Sequence, residues 1–237
     1  MADIEKAIER EKEYLLYRAK NEEPFHLVDA VKECGFESLA EYFNAKKDYL
    51  FEQLEFLYME KEADVCMANL FRMMSEKETA ISFTDTNYPL VYLGESKPYN
   101  AEYCKENNIT VLPLYTRGGA IVSSVGDLST GICLPDNVGV NDYFILSKMR
   151  DIFGKYIENV TVDGNDILIN GQKVCGSSHY KSNGMYLFVA HFSFTDSTEL
   201  IKNVCEVENV QSVKVPTYIT GITREQFKQE VREWLRV

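Results

Sequence analysis

The chain has 237 residues, of which 37 are acidic and 25 basic, for a net charge of −12. At 45% hydrophobic and 26% charged it is composed like a globular protein rather than a disordered one, and it can bury a core without disulfide or metal staples. The acidic balance argues against nucleic-acid and anionic-membrane partners, no apolar run suits a transmembrane helix, and the charged N-terminus lacks an export-signal core, so a cytoplasmic protein is expected.

Punctuation by glycine and proline divides the chain. Twelve of the 13 glycines lie at or after Gly94, and five of the 6 prolines at or after Pro89. The first third therefore reads as helical and the rest as mixed. Residues 1–62 also hold 16 acidic against 9 basic side chains, more than half of the net charge.

In chain order, Ile4, Ile8 and Leu15 form a helical stripe through residues 2–20, stopped near Asn21 and Pro24. Leu27, Val28 and Val31 predict a short helix ended by Gly35, and Ser38 can cap another through Leu39, Tyr42 and Phe43. The two short helices around Gly35 invite a helix-turn-helix reading, but the segment is acidic where a DNA-reading helix is basic, and a small packed helical subdomain fits better. The periodic run Leu50, Leu54, Leu57, Cys66, Leu70, Met73 and Met74 predicts helix to about residue 76, with a break near Lys61–Asp64.

Strands are expected at Leu90–Leu93, Ile109–Leu114, Ala120–Val122 and Gly131–Leu134. Asn141–Ile157 predicts a helix capped by Asn141 or Asp142. A meander follows, Asn159–Val162, Asp166–Ile169 and Gln172–Gly176, in which Asn170-Gly171 is the strongest hairpin signal because both central residues of a type I′ turn need positive φ. Met185–Phe194 reads as the next strand and Asp196–Cys205 as a helix. Thr223 with Gln226 resembles a capping box opening a last helix with Phe227, Val231, Trp234 and Leu235 on its buried stripe.

Three constellations carry chemistry. Thr116-Arg117-Gly118-Gly119-Ala120, followed by Gly126-Asp127-Leu128-Ser129-Thr130, allows close backbone approach and anion binding, with Arg117 as a bidentate donor. Lys173, two residues past the Asn170-Gly171 turn and just before Gly176-Ser177, can aim an ammonium at a phosphate or acyl carbonyl. In a regular strand Cys175 would share its face, and the ammonium would then favour the thiolate. The third is His191 among apolar strand residues. The six cysteines are scattered without metal-ligand spacing and read as free thiols.

In this order and spacing the three resemble the lipoate–protein ligase and octanoyltransferase family, from about Asp64 to the C-terminus. Val91-Tyr92-Leu93-Gly94 matches the family's strand ending in Leu-Gly, and Asn165-Asp166-Ile167 with Gly171-Gln172-Lys173-Val174-Cys175-Gly176-Ser177 matches its Asn-Asp-Ile and Gly-x-Lys-Ile-x-Gly-Ser. The chain departs from the family at four places, six residues in all. Leu114-Tyr115 stand near the family's Arg pair, Arg117 replaces a Gly, Ser123-Ser124 replace His-Asp, and Asp127 replaces Asn.

The resemblance implies an α+β domain of the biotin/lipoate ligase type over 63–237, with a mixed or antiparallel sheet and flanking helices, behind a helical extension over 1–62. It implies activation of lipoate or a related small acyl acid by ATP and Mg2+, then transfer to a lysine of a lipoyl-carrier protein domain. Lys173 would be catalytic, and Arg117, Gly118, Gly119, Ala120, Asp127, Ser129, Gly176, Ser177 and His191 would bind substrate and nucleotide. Two other readings stay open: an ATP-independent acyltransferase using Cys175 or Cys133 as nucleophile, and a non-catalytic ligand-binding protein.

Overall fold

The computed structural model describes residues 2–20, 25–60, 63–94, 99–113, 120–205 and 218–237, with the backbone alone over 63–67. The chain divides into two compact units, Met1–Leu54 with Val138–Val140, and Glu55–Asn137 with Asn141–Val237.

The first unit is helical: α1 (Ile4–Ala19), α2 (Leu27–Glu33) and α3 (Leu39–Glu52). Asp3 caps α1 by accepting from the Lys6 N–H at 3.0 Å, and Ser38 caps α3 by accepting from the Glu41 N–H at 3.1 Å. Ala7, Val31, Cys34, Phe36 and Tyr42 form its core. There the Tyr42 hydroxyl donates to Glu11 at 2.5 Å, so a buried carboxylate is satisfied where α1 meets α3.

The second unit holds two sheets. The larger has seven strands: β1 (Leu57–Glu60), β2 (Ala80–Asp85), β6 (Leu128–Pro135), β10 (Met185–Phe192), β9 (Gln172–Ser182), β8 (Asp166–Ile169) and β7 (Val160–Asp163), in that spatial order. Only β1 and β2 pair in parallel; the other neighbours are antiparallel. The smaller sheet has the order β4 (Thr110–Pro113), β3 (Leu90–Leu93), β5 (Ala120–Ser123). The architecture is α+β, with mixed sheets behind a helical N-terminal stretch. No helix among the described residues is long and apolar enough to cross a membrane.

Residues 57–60 correct the expectation of helix to about residue 76 broken only near Lys61–Asp64. They form β1, beside Ala80–Phe83, and helix resumes only at α4 (Ala63–Glu76). Pairing with a neighbour distant in sequence overrides the local helical spacing.

Two layers of helix cover the large sheet. On one face α6 (Asp142–Gly154) and α8 (Arg224–Leu235) meet the sheet, where Phe153 and Phe227 stack at 4.6 Å and Phe192 packs on Phe227 at 4.8 Å. Asn141 caps α6, accepting from the Phe144 N–H at 2.9 Å, and Thr223 with Gln226 forms the capping box of α8. On the other face α4 packs Leu70, Met73 and Met74 against Ala80, Cys133, Met185, Leu187 and Val189. Gly131 makes this approach possible: a Cβ there would lie 2.3 Å from Leu70 Cδ2, so the leucine sits directly on the backbone of β6. Over the small sheet, α5 (Ala101–Glu106) and α7 (Thr198–Val204) enclose Val91, Cys104, Ile109, Val122 and Val204.

Candidate functional site

Register assembles the site. Thr84 of β2 pairs with Ser129 of β6, Ser129 with His191 of β10, His191 with Gly176 of β9, and Gly176 with Asp166 of β8. Directly paired residues share a face, so this row crosses five strands on the side that carries α4. Ser129 Oγ lies 3.2 Å from His191 Nδ1.

Lys173 joins the row through an irregularity. In β9, Cys175 pairs with Ile167 and Lys173 with Leu168, so Val174 is an extra residue in a β-bulge. Simple alternation would put Lys173 and Cys175 together on the α6 face. The bulge instead turns Lys173 onto the Gly176 face, where its Nζ reaches Asp166 Oδ1 at 2.8 Å. Gly176 provides the floor, since a Cβ there would lie 3.0 Å from Lys173 Nζ and 3.1 Å from its Cε. The Lys173 side chain is 37% exposed and that of Asp166 22%. An ammonium carries three donors and Asp166 takes one, so the others can serve an anionic ligand.

The sequence-derived candidates separate accordingly. Lys173, Gly176, His191 and Ser129 come together in the row. Ser177 lies beside Lys173 in sequence but on the opposite face, where its hydroxyl donates to the Asn165 carbonyl at 3.0 Å and ties the β7–β8 turn. Ala120 opens β5 in the small sheet, paired with Leu93. Arg117, Gly118 and Gly119, with Leu114 to Thr116, lie outside the described residues.

Asp127 is fully buried just before β6 and acts as a bracket. Its Oδ1 accepts from the N–H groups of Phe194 at 2.9 Å and Thr195 at 3.1 Å and from the Thr195 hydroxyl at 2.9 Å; its Oδ2 accepts from the Ser124 N–H at 2.8 Å. His191 Nε2 stands 3.6 Å from Oδ2, beyond a normal hydrogen bond but close enough for its charge to count. Burial pushes the Asp127 carboxyl up, but His191 and the donors from Ser124 and Thr195 outweigh it and hold it below the usual carboxylate range. So enclosed, Asp127 braces the loop at Phe194 and Thr195 and stands beside His191.

The two cysteines weighed as nucleophiles do not suit that role. Cys133 is buried under α4, and burial, with Glu78 nearby, pushes its thiol up to about 12. Cys175 is buried on the face away from Lys173; burial raises its pKa strongly, against a weaker lowering by the ammonium. A nucleophilic cysteine needs the opposite shift and an open approach.

Three site residues were missed from the sequence. Asp166 was read only as part of a motif, and Ser82 and Thr84 not at all. The alternation Ala80-Ile81-Ser82-Phe83-Thr84 was the signal, since it sends Ile81 and Phe83 to one face and two hydroxyls to the other.

A family model, the lipoyl protein ligase A/B catalytic domain, matches residues 65–233. The chain belongs to that family. Among solved structures, P. falciparum LipL1 in complex with lipoate aligns with a TM-score of 0.64 at 14% identity, covering 76% of this chain and 62% of that one. The chain thus spans less than two thirds of that relative. The T. acidophilum bipartite lipoate protein ligase, described with its E2 lipoyl domain, gives 0.60 at 16% identity over 78% and 85% of the two chains. A lipoate-protein ligase A bound with ATP gives 0.57 at 16% over 76% and 83%. At these identities the likeness establishes a common fold. No curated protein matches the chain.

Proposed function

We propose that this chain is a lipoate–protein ligase-like enzyme that activates lipoate or a related acyl acid with ATP and transfers the acyl group to a lysine of a lipoyl-carrier domain. The observation that carries the reading is Lys173, turned by a bulge onto the same face as His191 and Ser129 and held over bare Gly176 by Asp166. ATP would supply the adenylyl group that makes the carboxylate a good acyl donor, pyrophosphate leaving in this step and AMP when the carrier lysine amine takes the acyl group. Lys173 binds the negative oxygens of the acyl and phosphate groups and neutralises the charge that develops on them. Asp166 holds the ammonium in position and can yield it to a more strongly charged ligand. Mg2+ would enter with the triphosphate, whose oxygens hold it with little help from protein carboxylates.

The test is the intact mass of a lipoyl-carrier domain after incubation with the chain, Mg·ATP and lipoate, alongside Lys173→Ala. A lipoyl mass gain that falls at least about a hundredfold in rate in the variant is expected. An equal gain in the variant would remove Lys173 from the mechanism, and no gain with any acyl acid would refute the reading.

A further inference from the structure

Among the described residues Ser82 Oγ and Thr84 Oγ1 are buried without a hydrogen-bond partner, and His191 Nε2 has only its 3.6 Å approach to Asp127. Their residues are 0%, 1% and 8% exposed. All three lie on one face of neighbouring strands: Thr84 sits in the row of Ser129 and His191, and Ser82 in the next, opposite Gly131. Buried hydroxyls almost always find a partner, so two on one short strand, both lacking one and both turned to the site face, mark where a ligand's polar atom belongs. Leu70, seated on Gly131, walls the position from the side of α4.

Distance along the row identifies the ligand. From Gly176, where Lys173 takes an acyl carboxyl, to Thr84 is three strand spacings, roughly 14 Å. An extended eight-carbon acid with an oxygen at its far end, hydrogen-bonded at both ends, spans a distance of that order. A purely hydrocarbon tail would leave both hydroxyls unpaired.

We propose that the acyl acid taken by this site carries a hydroxyl or keto oxygen on the distal part of its chain, bound by the Ser82 and Thr84 hydroxyls. This deepens the acyl-transfer reading above and rests on it.

The test is calorimetric titration of the full chain with octanoic acid and with 8-hydroxyoctanoic acid, in the wild type, Thr84→Val, Ser82→Ala and Thr84→Ser. The hydroxy acid should bind at least about fivefold tighter to the wild type, the value of one net hydrogen bond. Thr84→Val or Ser82→Ala should bring that ratio towards one, chiefly by tightening octanoic acid, and Thr84→Ser should keep it. Equal affinities in the wild type, or an unchanged ratio in both Thr84→Val and Ser82→Ala, would overturn the inference and leave the acyl-transfer reading standing. Binding of neither acid to the folded wild type would overturn both. The wild-type comparison decides the question even if a variant fails to fold.

Discussion

Gly176→Ala isolates the placement of Lys173 from its charge. The new Cβ would meet Lys173 Nζ at 3.0 Å, its Cε at 3.1 Å and Asp166 Oδ1 at 3.7 Å. Ordinary contact begins near 3.4 Å, so the end of the lysine must retreat by roughly 0.3–0.4 Å or swing away from Asp166. The clash falls on the tip of a flexible side chain, and Gly176 is absent from the positive-φ glycines, so the backbone accepts alanine. Replacing a strand glycine even gains about 0.5–1 kcal/mol, leaving stability near unchanged. Catalysis is less forgiving, because a misplacement of 1 Å at a reacting centre costs about a hundredfold. A loss of roughly tenfold in kcat/KM is therefore expected, against at least a hundredfold for Lys173→Ala. Initial rates of carrier acylation by mass spectrometry, beside thermal melts, give both quantities. Wild-type rates in Gly176→Ala alongside an inactive Lys173→Ala would refute the idea that the bare glycine positions the ammonium. A large drop in Tm would refute the claim that the clash is local.

Gly131→Ala should act on the fold instead. Its Cβ would come within 2.3 Å of Leu70 Cδ2 and 2.8 Å of Cδ1, so α4 must lift or Leu70 must leave its rotamer, at about 1–3 kcal/mol. Pairing it with Leu70→Ala in urea denaturation should recover part of that loss, and strictly additive effects would argue against the interlock. Asp127→Asn addresses acid stability. A carboxyl depressed in the folded state contributes stability that is complete above its unfolded pKa of about 3.9 and is lost as pH falls through the lower folded value. Urea midpoints should fall for the wild type as the pH drops below about 4, and the Asn variant should be weaker at neutral pH but flatter over the same acid range. The same acid slope in both proteins would show that another group controls it.

Local grammar made much of the fold legible. Asn170-Gly171 has φ values of 50° and 77°, as a type I′ turn requires, and the caps at Ser38, Asn141 and Thr223 all form. Asn183-Gly184, at 54° and 78°, repeats the signal and joins β9 to β10, a hairpin the strand runs alone had not marked. β1 stayed hidden because its apolar spacing suits a helix and only its partner β2 makes it a strand. Within the site, Lys173 and His191 stood out as polar residues in strand contexts. Their meeting depends on pairings between segments far apart in sequence, and no local pattern reports register. The Lys173–Cys175 partnership failed for the same reason, since one unpaired residue inverts the parity on which it rested.

The bulge at Val174 makes the chemistry of this strand a matter of counting. Whether the cation and the thiol fall on opposite sides of the sheet or on one is decided by whether Val174 takes a partner on β8. The bulge, rather than the residue types alone, keeps the two groups on opposite faces. Pairing every residue of β9 in regular alternation would, with no side chain changed, bring the ammonium to the face of the thiol and into the apolar layer beneath α6. Loss of activity by that route would leave a protein whose composition and motif residues look intact.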